Sequence, residues 1–228
     1  MKHLRFETRA ELQFALENRL AQALVSPAQA GGPPAVMLSG GSTPIPAYVA
    51  LAQRALAAAP GLTVLFSDDR YVPSDSSQSN YHQCKPLLDA LAIAEARVLR
   101  IRTELPLEQA ADDSERRLRE LLVGGRRIGL GLLGLGADGH TASLFGPQDL
   151  ARAPGRLAIS VHRPDGRDAV SVTPTVLQQV DQLVFVVAGA DKRTALAALL
   201  AQDPRLTAWN AVAGCASVEV WADAEALG

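Results

Sequence analysis

The segment Gly134-Leu-Gly-Ala-Asp138-Gly-His140-Thr-Ala-Ser-Leu-Phe145 places an acid and a histidine two positions apart. It directly follows an apolar run, Ile128 to Leu135, so the histidine falls on a loop at the end of a buried strand. Such loops are where open α/β sheets put their chemistry. Histidine is also the side chain best suited to exchange protons near neutral pH. His140 is therefore a candidate general base, and Asp138 a candidate partner that orients the imidazole and stabilises its protonated form. No Ser nucleophile elbow accompanies them, so the attacking group reads as water activated by His140. The plainer readings are a loop histidine bonded to backbone and an Asx-type turn at Asp138.

Three further constellations supply anion-binding chemistry. After the apolar stretch Ala35–Leu38 comes Ser39-Gly40-Gly41-Ser42-Thr43-Pro44. Glycines let the backbone approach a ligand closely, Ser42 or Thr43 suits a helix cap, and Pro44 suits the first turn. Free N–H groups at such a turn favour a phosphate, although a plain strand-to-helix turn has the same pattern. There is no P-loop lysine, which argues against a nucleoside triphosphate. Leu62–Phe66 ends in Ser67-Asp68-Asp69-Arg70, where Arg70 could grip a phosphate or carboxylate bidentately or simply pair with an acid. Ser79 or Asn80 then reads as a helix cap. Lys192, opening a helix after Leu183–Val187, runs against the helix dipole and needs a compensating partner. Arg163 and Arg167 flank the Asp165-Gly166 turn, from which one of them could reach the site. A metal site built on Asp68, Asp69, Asp138 and His140 would have one imidazole and no thiolate, a weak transition-metal donor set, so no metal is expected.

The elements that would position these residues alternate. Strands are expected at Ala35–Leu38, Leu62–Phe66, Ile128–Leu135, Leu157–Val161, Ala169–Val172, Leu183–Val187 and Val218–Trp221, with a weaker one at Val98–Ile101. Spacing and Ala/Leu/Arg/Glu content predict helices at Glu11–Leu24, Pro44–Ala58, Tyr81–Leu91, Leu107–Leu122, Pro174–Val180 and Lys192–Leu200. The alternation predicts an α/β fold with a mostly parallel sheet, and the runs around Asp165-Gly166 predict an antiparallel hairpin. Two G-x-G-x-x-G matches, starting at Gly129 and Gly134, are set aside as dinucleotide fingerprints. The first lies inside a strand, and neither has the acid that a ribose contact needs. The strand glycines instead suggest close packing of a neighbouring backbone.

With 228 residues, 48% of them hydrophobic, the chain has enough for one substantial core, and a single α/β domain over 1–228 is expected. Ser26 to Pro34 is a Pro/Gly loop too near the N-terminus to bound a domain. The formal net charge of −2 gives no global field toward nucleic acid or an anionic membrane, and neither is expected as a partner. Two distant cysteines, Cys84 and Cys215, fit neither a disulfide framework nor a zinc site. With a polar N-terminus and no membrane-length apolar run, they suggest a soluble cytoplasmic protein.

Taken together, Ser39–Pro44, Ser67–Pro73, Ser79-Asn-Tyr81, Gly134–Phe145 and Gly189-Ala-Asp-Lys192 resemble the 6-phosphogluconolactonase family in order and approximate spacing. Related glucosamine-6-phosphate deaminases share Gly-x-Asp-Gly-His but continue Ile-Ala-Phe-Asn-Glu, so Thr141 to Phe145 favours the lactonase. The resemblance implies a three-layer Rossmann-like fold with a small accessory portion. It implies hydrolysis of 6-phosphoglucono-δ-lactone, a sugar phosphate lactone, without a cofactor. It assigns His140 as base and Asp138 as its acid, and puts Gly40, Gly41, Ser42, Thr43, Arg70, Lys192 and, more loosely, Arg167 around substrate phosphate and oxygens. Asp69 stands where the family usually has Glu, Gly146 precedes Pro147 where Pro commonly follows Phe directly, and Arg205 to Gly228 match poorly. The rival readings are a sugar-phosphate deaminase or isomerase, and a non-enzymatic sugar-phosphate sensor.

Overall fold

The computed structural model describes residues 1–26, 34–124 and 127–228, so most of the loop between Ser26 and Pro34 lies outside it. The first half of the chain forms β1 (Lys2–Phe6), α1 (Arg9–Val25), β2 (Ala35–Leu38), α2 (Ile45–Ala52), β3 (Thr63–Phe66), β4 (Asp68–Arg70), α3 (Asn80–Ala90), β5 (Val98–Leu99) and α4 (Leu107–Val123). The second half forms β6 (Ile128–Leu133), α5 (Pro147–Ala151), β7 (Ala158–His162), β8 (Asp168–Val172), α6 (Pro174–Leu177) and β9 (Leu183–Val187). It ends with α7 (Arg193–Leu200), α8 (Thr207–Val212), β10 (Val218–Asp223) and α9 (Ala224–Leu227).

Seven strands build one sheet in the order β1-β10-β9-β6-β2-β3-β5, every pair parallel. Parallel sheets are covered on both faces, so their strands read as continuous apolar runs, and β2, β3 and β9 are buried throughout. The two-residue period still divides their side chains. Val36 and Leu38 of β2 pack with α1, α2 and α3 on one face, while Ala35 and Met37 join the core formed with α4 and α6 to α9 on the other. A smaller antiparallel sheet, β4-β8-β7, is the accessory portion and contains the expected hairpin.

The strand order fixes where a ligand can sit. From β2 the chain runs outward through β3 to β5 on one side, and β6, β9 and β10 occupy the other. The carboxyl ends of β2 and β6 therefore flank the point where strand order reverses, and a crevice opens at such a point.

Several expected bounds shift for physical reasons. The helix predicted to reach Ala58 stops at Ala52, because the chain must turn back toward β3, where the Ala59 amide bonds to the Leu24 carbonyl at 2.8 Å. β6 ends at Leu133 rather than Leu135, since the Thr141 hydroxyl takes the Gly134 carbonyl at 2.9 Å. Gly131 is packed by side chains rather than backbone: an added Cβ would meet Met37 and Leu183 below 3 Å. Gly129 has open space around its Cβ position, so close packing does not explain it.

Candidate active site

The loop after β6 is folded back on itself. The Gly136 amide bonds to the His140 carbonyl at 2.9 Å, and the Gly139 amide to the Gly136 carbonyl at 3.0 Å. This brings Asp138 against His140, whose Nδ1 lies 2.5 Å from Oδ1 of the carboxylate. Burial works to raise the Asp138 carboxyl, but the hydrogen bond and charge of His140 outweigh it and hold the group below its ordinary range. A carboxylate can only accept, so Nδ1 is the nitrogen assigned the proton, and Nε2 of the neutral imidazole is then the acceptor. The His140 ring also lies against Phe145, 4.3 Å between centroids. The close turn demands glycine at Gly136, where a Cβ would sit 2.1 Å from His140 Nδ1.

His140 opens onto a cleft of about 250 Å³ at the strand-order reversal, lined also by the Ser39–Pro44 loop, Asp68, Arg70, Arg163 and Lys192. The Ser39–Pro44 loop is held by α1. Arg9 Nη2 donates to the Ser42 carbonyl at 2.9 Å, and Gln13 Nε2 donates to the Thr43 carbonyl. The carbonyls face α1, and Gly41 takes a left-handed φ of +103°. Neither Ser42 nor Thr43 caps α2 with its side chain; Pro44 is the cap position and no side-chain cap bond forms. The expected cap is thus replaced by anchoring from another helix. Tyr48, fully buried, donates its hydroxyl to the Ser39 carbonyl at 2.8 Å and fixes the strand end.

Asp68 and Asp69 have opposite jobs. Asp69 turns away from the cleft and accepts from the Ser79 hydroxyl (2.9 Å) and the Asn80 (2.6 Å) and Tyr81 (3.1 Å) amides, anchoring the start of α3. Burial pushes its carboxyl up to about 6 despite these bonds. Ser79 is the cap residue, its Oγ accepting the His82 amide at 3.2 Å. Asp68 faces the cleft. Arg70 pairs with neither acid through its guanidinium, which donates to Asn80 Oδ1 and to the Gln78 carbonyl at 3.1 Å. Among the described residues, no three His, Cys, Asp or Glu side chains group as metal ligands.

The structure thus gathers His140, Gly40 to Thr43, Arg70 and Lys192 around one cleft, with Asp138 directly behind His140. Lys192 has the partner its position required, Asp191 at 3.2 Å. Arg167 is not brought in. Its guanidinium bonds Asp165 at 2.7 Å and Gln78, and Arg163 from the other side of the turn lines the cleft instead. Arg163 and Arg167 stand opposite each other across the turn, the Arg163 amide donating to the Arg167 carbonyl at 2.8 Å, so spacing alone did not separate them. The C-terminal segment also contributes. The Ala208 amide bonds to the Gly139 carbonyl at 2.9 Å, and Leu206 packs where a Gly139 Cβ would be. No local sequence signal marks either residue.

The family model for glucosamine-6-phosphate isomerases/6-phosphogluconolactonase matches residues 7–220. The chain belongs to this family. It is 37% identical over 174 residues to a 6-phosphogluconolactonase of Synechocystis sp., covering 74% of this chain and 72% of that one. It is 35% identical over 207 residues to the 6-phosphogluconolactonase of Homo sapiens, covering 86% and 80%. The crystal structure of 6-phosphogluconolactonase from Thermotoga maritima superposes with a TM-score of 0.78 at 25% identity, covering 97% of this chain and 99% of that one. This family member thus has its histidine loop, glycine loop and cations inside the matched region.

Proposed function

We propose that the chain hydrolyses 6-phosphoglucono-δ-lactone to 6-phosphogluconate, the lactone step of the oxidative pentose phosphate pathway. The observation that carries this reading is an imidazole held by Asp138 at a cleft lined by three cations, Arg70, Arg163 and Lys192, and by the Ser39–Pro44 loop. The lactonase relatives, at up to 37% identity, support it.

In this reading Nε2 of His140 takes a proton from water as its oxygen bonds to the lactone carbonyl carbon. Asp138 stabilises the imidazolium that forms. The carbonyl π electrons move onto oxygen, where Arg70, Lys192 or loop amides supply donors. Collapse breaks the bond to the ring oxygen, and His140 returns its proton there. Gly40 to Thr43, Lys192 and Arg70 share the substrate's phosphate and oxygens between them, and Arg167 stands outside the cleft lining. A δ-lactone is an activated ester, so one base and good positioning suffice, with no covalent intermediate and no cofactor. Among the described residues no helix is long and apolar enough to cross a membrane, and Cys84 and Cys215 are free, which supports a cytoplasmic placement.

The test is lactone hydrolysis above its spontaneous rate, coupled to 6-phosphogluconate dehydrogenase, for wild type and His140→Ala together. The variant should lose about 10²- to 10⁴-fold in kcat while still binding 6-phosphogluconate. Retained turnover would refute His140 as base. A folded wild type that binds 6-phosphogluconate yet shows no turnover would point to a sensor.

A further inference from the structure

Three cations, Arg70, Arg163 and Lys192, face the cleft, against Asp68 as the one acid among its described lining residues. Arg163 is the residue that the family-like motifs did not mark, and it is the most elaborately held. Its side chain is only 11% exposed. A guanidinium so covered is costly unless its donors and faces are engaged. Here Nε and Nη2 donate to the Asp165 carboxylate at 3.2 to 3.3 Å, and Nη1 donates to Ser143 Oγ at 3.3 Å. The guanidinium carbon lies 5.0 Å from the centre of the Phe145 ring, the same ring that His140 packs against. A guanidinium has five N–H donors, and these bonds use three. The remaining donors belong to a group that lines the cleft wall.

The anchor beneath it is buried and continuous. Ser143 is fully buried and donates to Asp68 Oδ2 at 2.6 Å. Asp68 Oδ1 accepts Asn80 Nδ2 at 3.3 Å, and Asn80 Oδ1 accepts Arg70. One chain of hydrogen bonds therefore runs beneath the cleft from one guanidinium to the other. Ser143 has a single proton, which goes to Asp68, so its lone pairs are what Arg163 meets. Buried polar chains of this kind are rigid when fully satisfied, and here the ends of the chain are the groups that face a ligand.

We propose that Arg163 is a substrate-binding residue of this cleft, and that Ser143 is the positioning residue holding it in register with Arg70 through Asp68 and Asn80. The inference rests on the lactonase reading, and its ligand is the same anionic sugar phosphate, whose oxygens the two guanidiniums share. Arg163, rather than Arg167, is then the cation that the β7–β8 hairpin delivers.

The experiment compares wild type, Arg163→Met, Arg163→Lys, Ser143→Ala and the Ser143→Ala/Arg163→Met double variant. It reads kcat and KM for the lactone, and the calorimetric Kd for 6-phosphogluconate, with circular dichroism as the folding control. Arg163→Met should raise KM and Kd about tenfold or more, with kcat within about threefold. Arg163→Lys keeps the charge without the planar fork and should fall between, and it carries the test if the Met variant fails to fold. Ser143→Ala should act in the same direction, and the double variant should be no worse than Arg163→Met alone, because Ser143 acts through Arg163. Unchanged affinity in both Arg163 variants, or a loss confined to kcat, would overturn the substrate contact. Additive effects in the double variant would overturn the positioning role. If wild type neither turns over the lactone nor binds 6-phosphogluconate, the lactonase reading itself has failed.

Discussion

Gly136→Ala separates catalytic geometry from folding. Gly136 does not need glycine for its backbone, since its φ is not among the positive ones. What excludes a methyl group is the dyad: the Cβ would lie 2.1 Å from His140 Nδ1, 2.3 Å from Asp138 Oδ1 and 2.4 Å from His140 Cε1. Ordinary contact begins near 3.4 Å, so the imidazole and carboxylate must retreat by more than about 1 Å. Neither is locked by burial, with side chains 26% and 57% exposed, so both can swing toward solvent. The expected cost in stability is therefore below about 2 kcal/mol. A displacement of about 1 Å at a reacting group costs on the order of 10²-fold in rate, so kcat should fall about 100-fold while the fold survives. The assay is coupled lactone hydrolysis beside thermal unfolding followed by circular dichroism. Gly129→Ala is the control, since its Cβ position is open and the substitution should leave turnover unchanged. Wild-type kcat in Gly136→Ala, with the protein folded, would refute the claim that the Asp138–His140 pair acts in the geometry described.

Asp138→Asn should lower kcat by about 10- to 100-fold with little change in KM, because an amide no longer stabilises the imidazolium; equal loss in KM would place Asp138 in binding instead. Carbon-13 NMR of the carboxyls should show Asp69 titrating near 6, well above an ordinary aspartate, and a midpoint below 4 would refute the burial argument. The sign follows: a carboxyl whose folded pKa is raised keeps its proton more tightly in the folded state. Between about pH 4 and 6 wild type should therefore lose stability relative to Asp69→Asn as pH rises, with no further change from this group above that window.

What the sequence made legible follows burial. The bounds of β2 and β9 coincide with their apolar runs because both faces of a central parallel strand are covered. β1 went unread because an edge strand of sequence Lys-His-Leu-Arg-Phe shows little apolar content, and only Leu4 and Phe6 pack inward. The histidine and glycine loops were legible because strand ends and glycines mark them locally. Leu206 and Ala208 were not, since each reaches the site through a long-range contact that no local pattern encodes, and Arg163 was legible only as one of two candidates at its turn. The Ala-rich stretch before Ala59 shows the same limit in reverse: good helical propensity lost to the need to return to β3.

The short strand β4 explains the two adjacent acids, and placing them only at the end of Leu62–Phe66 is what hid their division of labour. Its register opposite β8 is Asp68 to Ser171, Asp69 to Val170 and Arg70 to Ala169. Side chains alternate along a strand, so Asp68 and Arg70 share one side and Asp69 takes the other. The cleft is accordingly lined by Asp68 and Arg70, while Asp69 meets the first turn of α3. A carboxylate at a helix start is favoured by the free amides there, and Asp69 already reaches two of them and the Ser79 hydroxyl. Asp at this position rather than the family's usual Glu therefore bears on how α3 is seated, one strand residue removed from any substrate. Its influence on Arg70 is indirect: Asn80, whose amide Asp69 holds, is the same residue whose side chain holds the Arg70 guanidinium. The seating of that acid thus bears on the position of a cleft-lining cation through the placement of a helix.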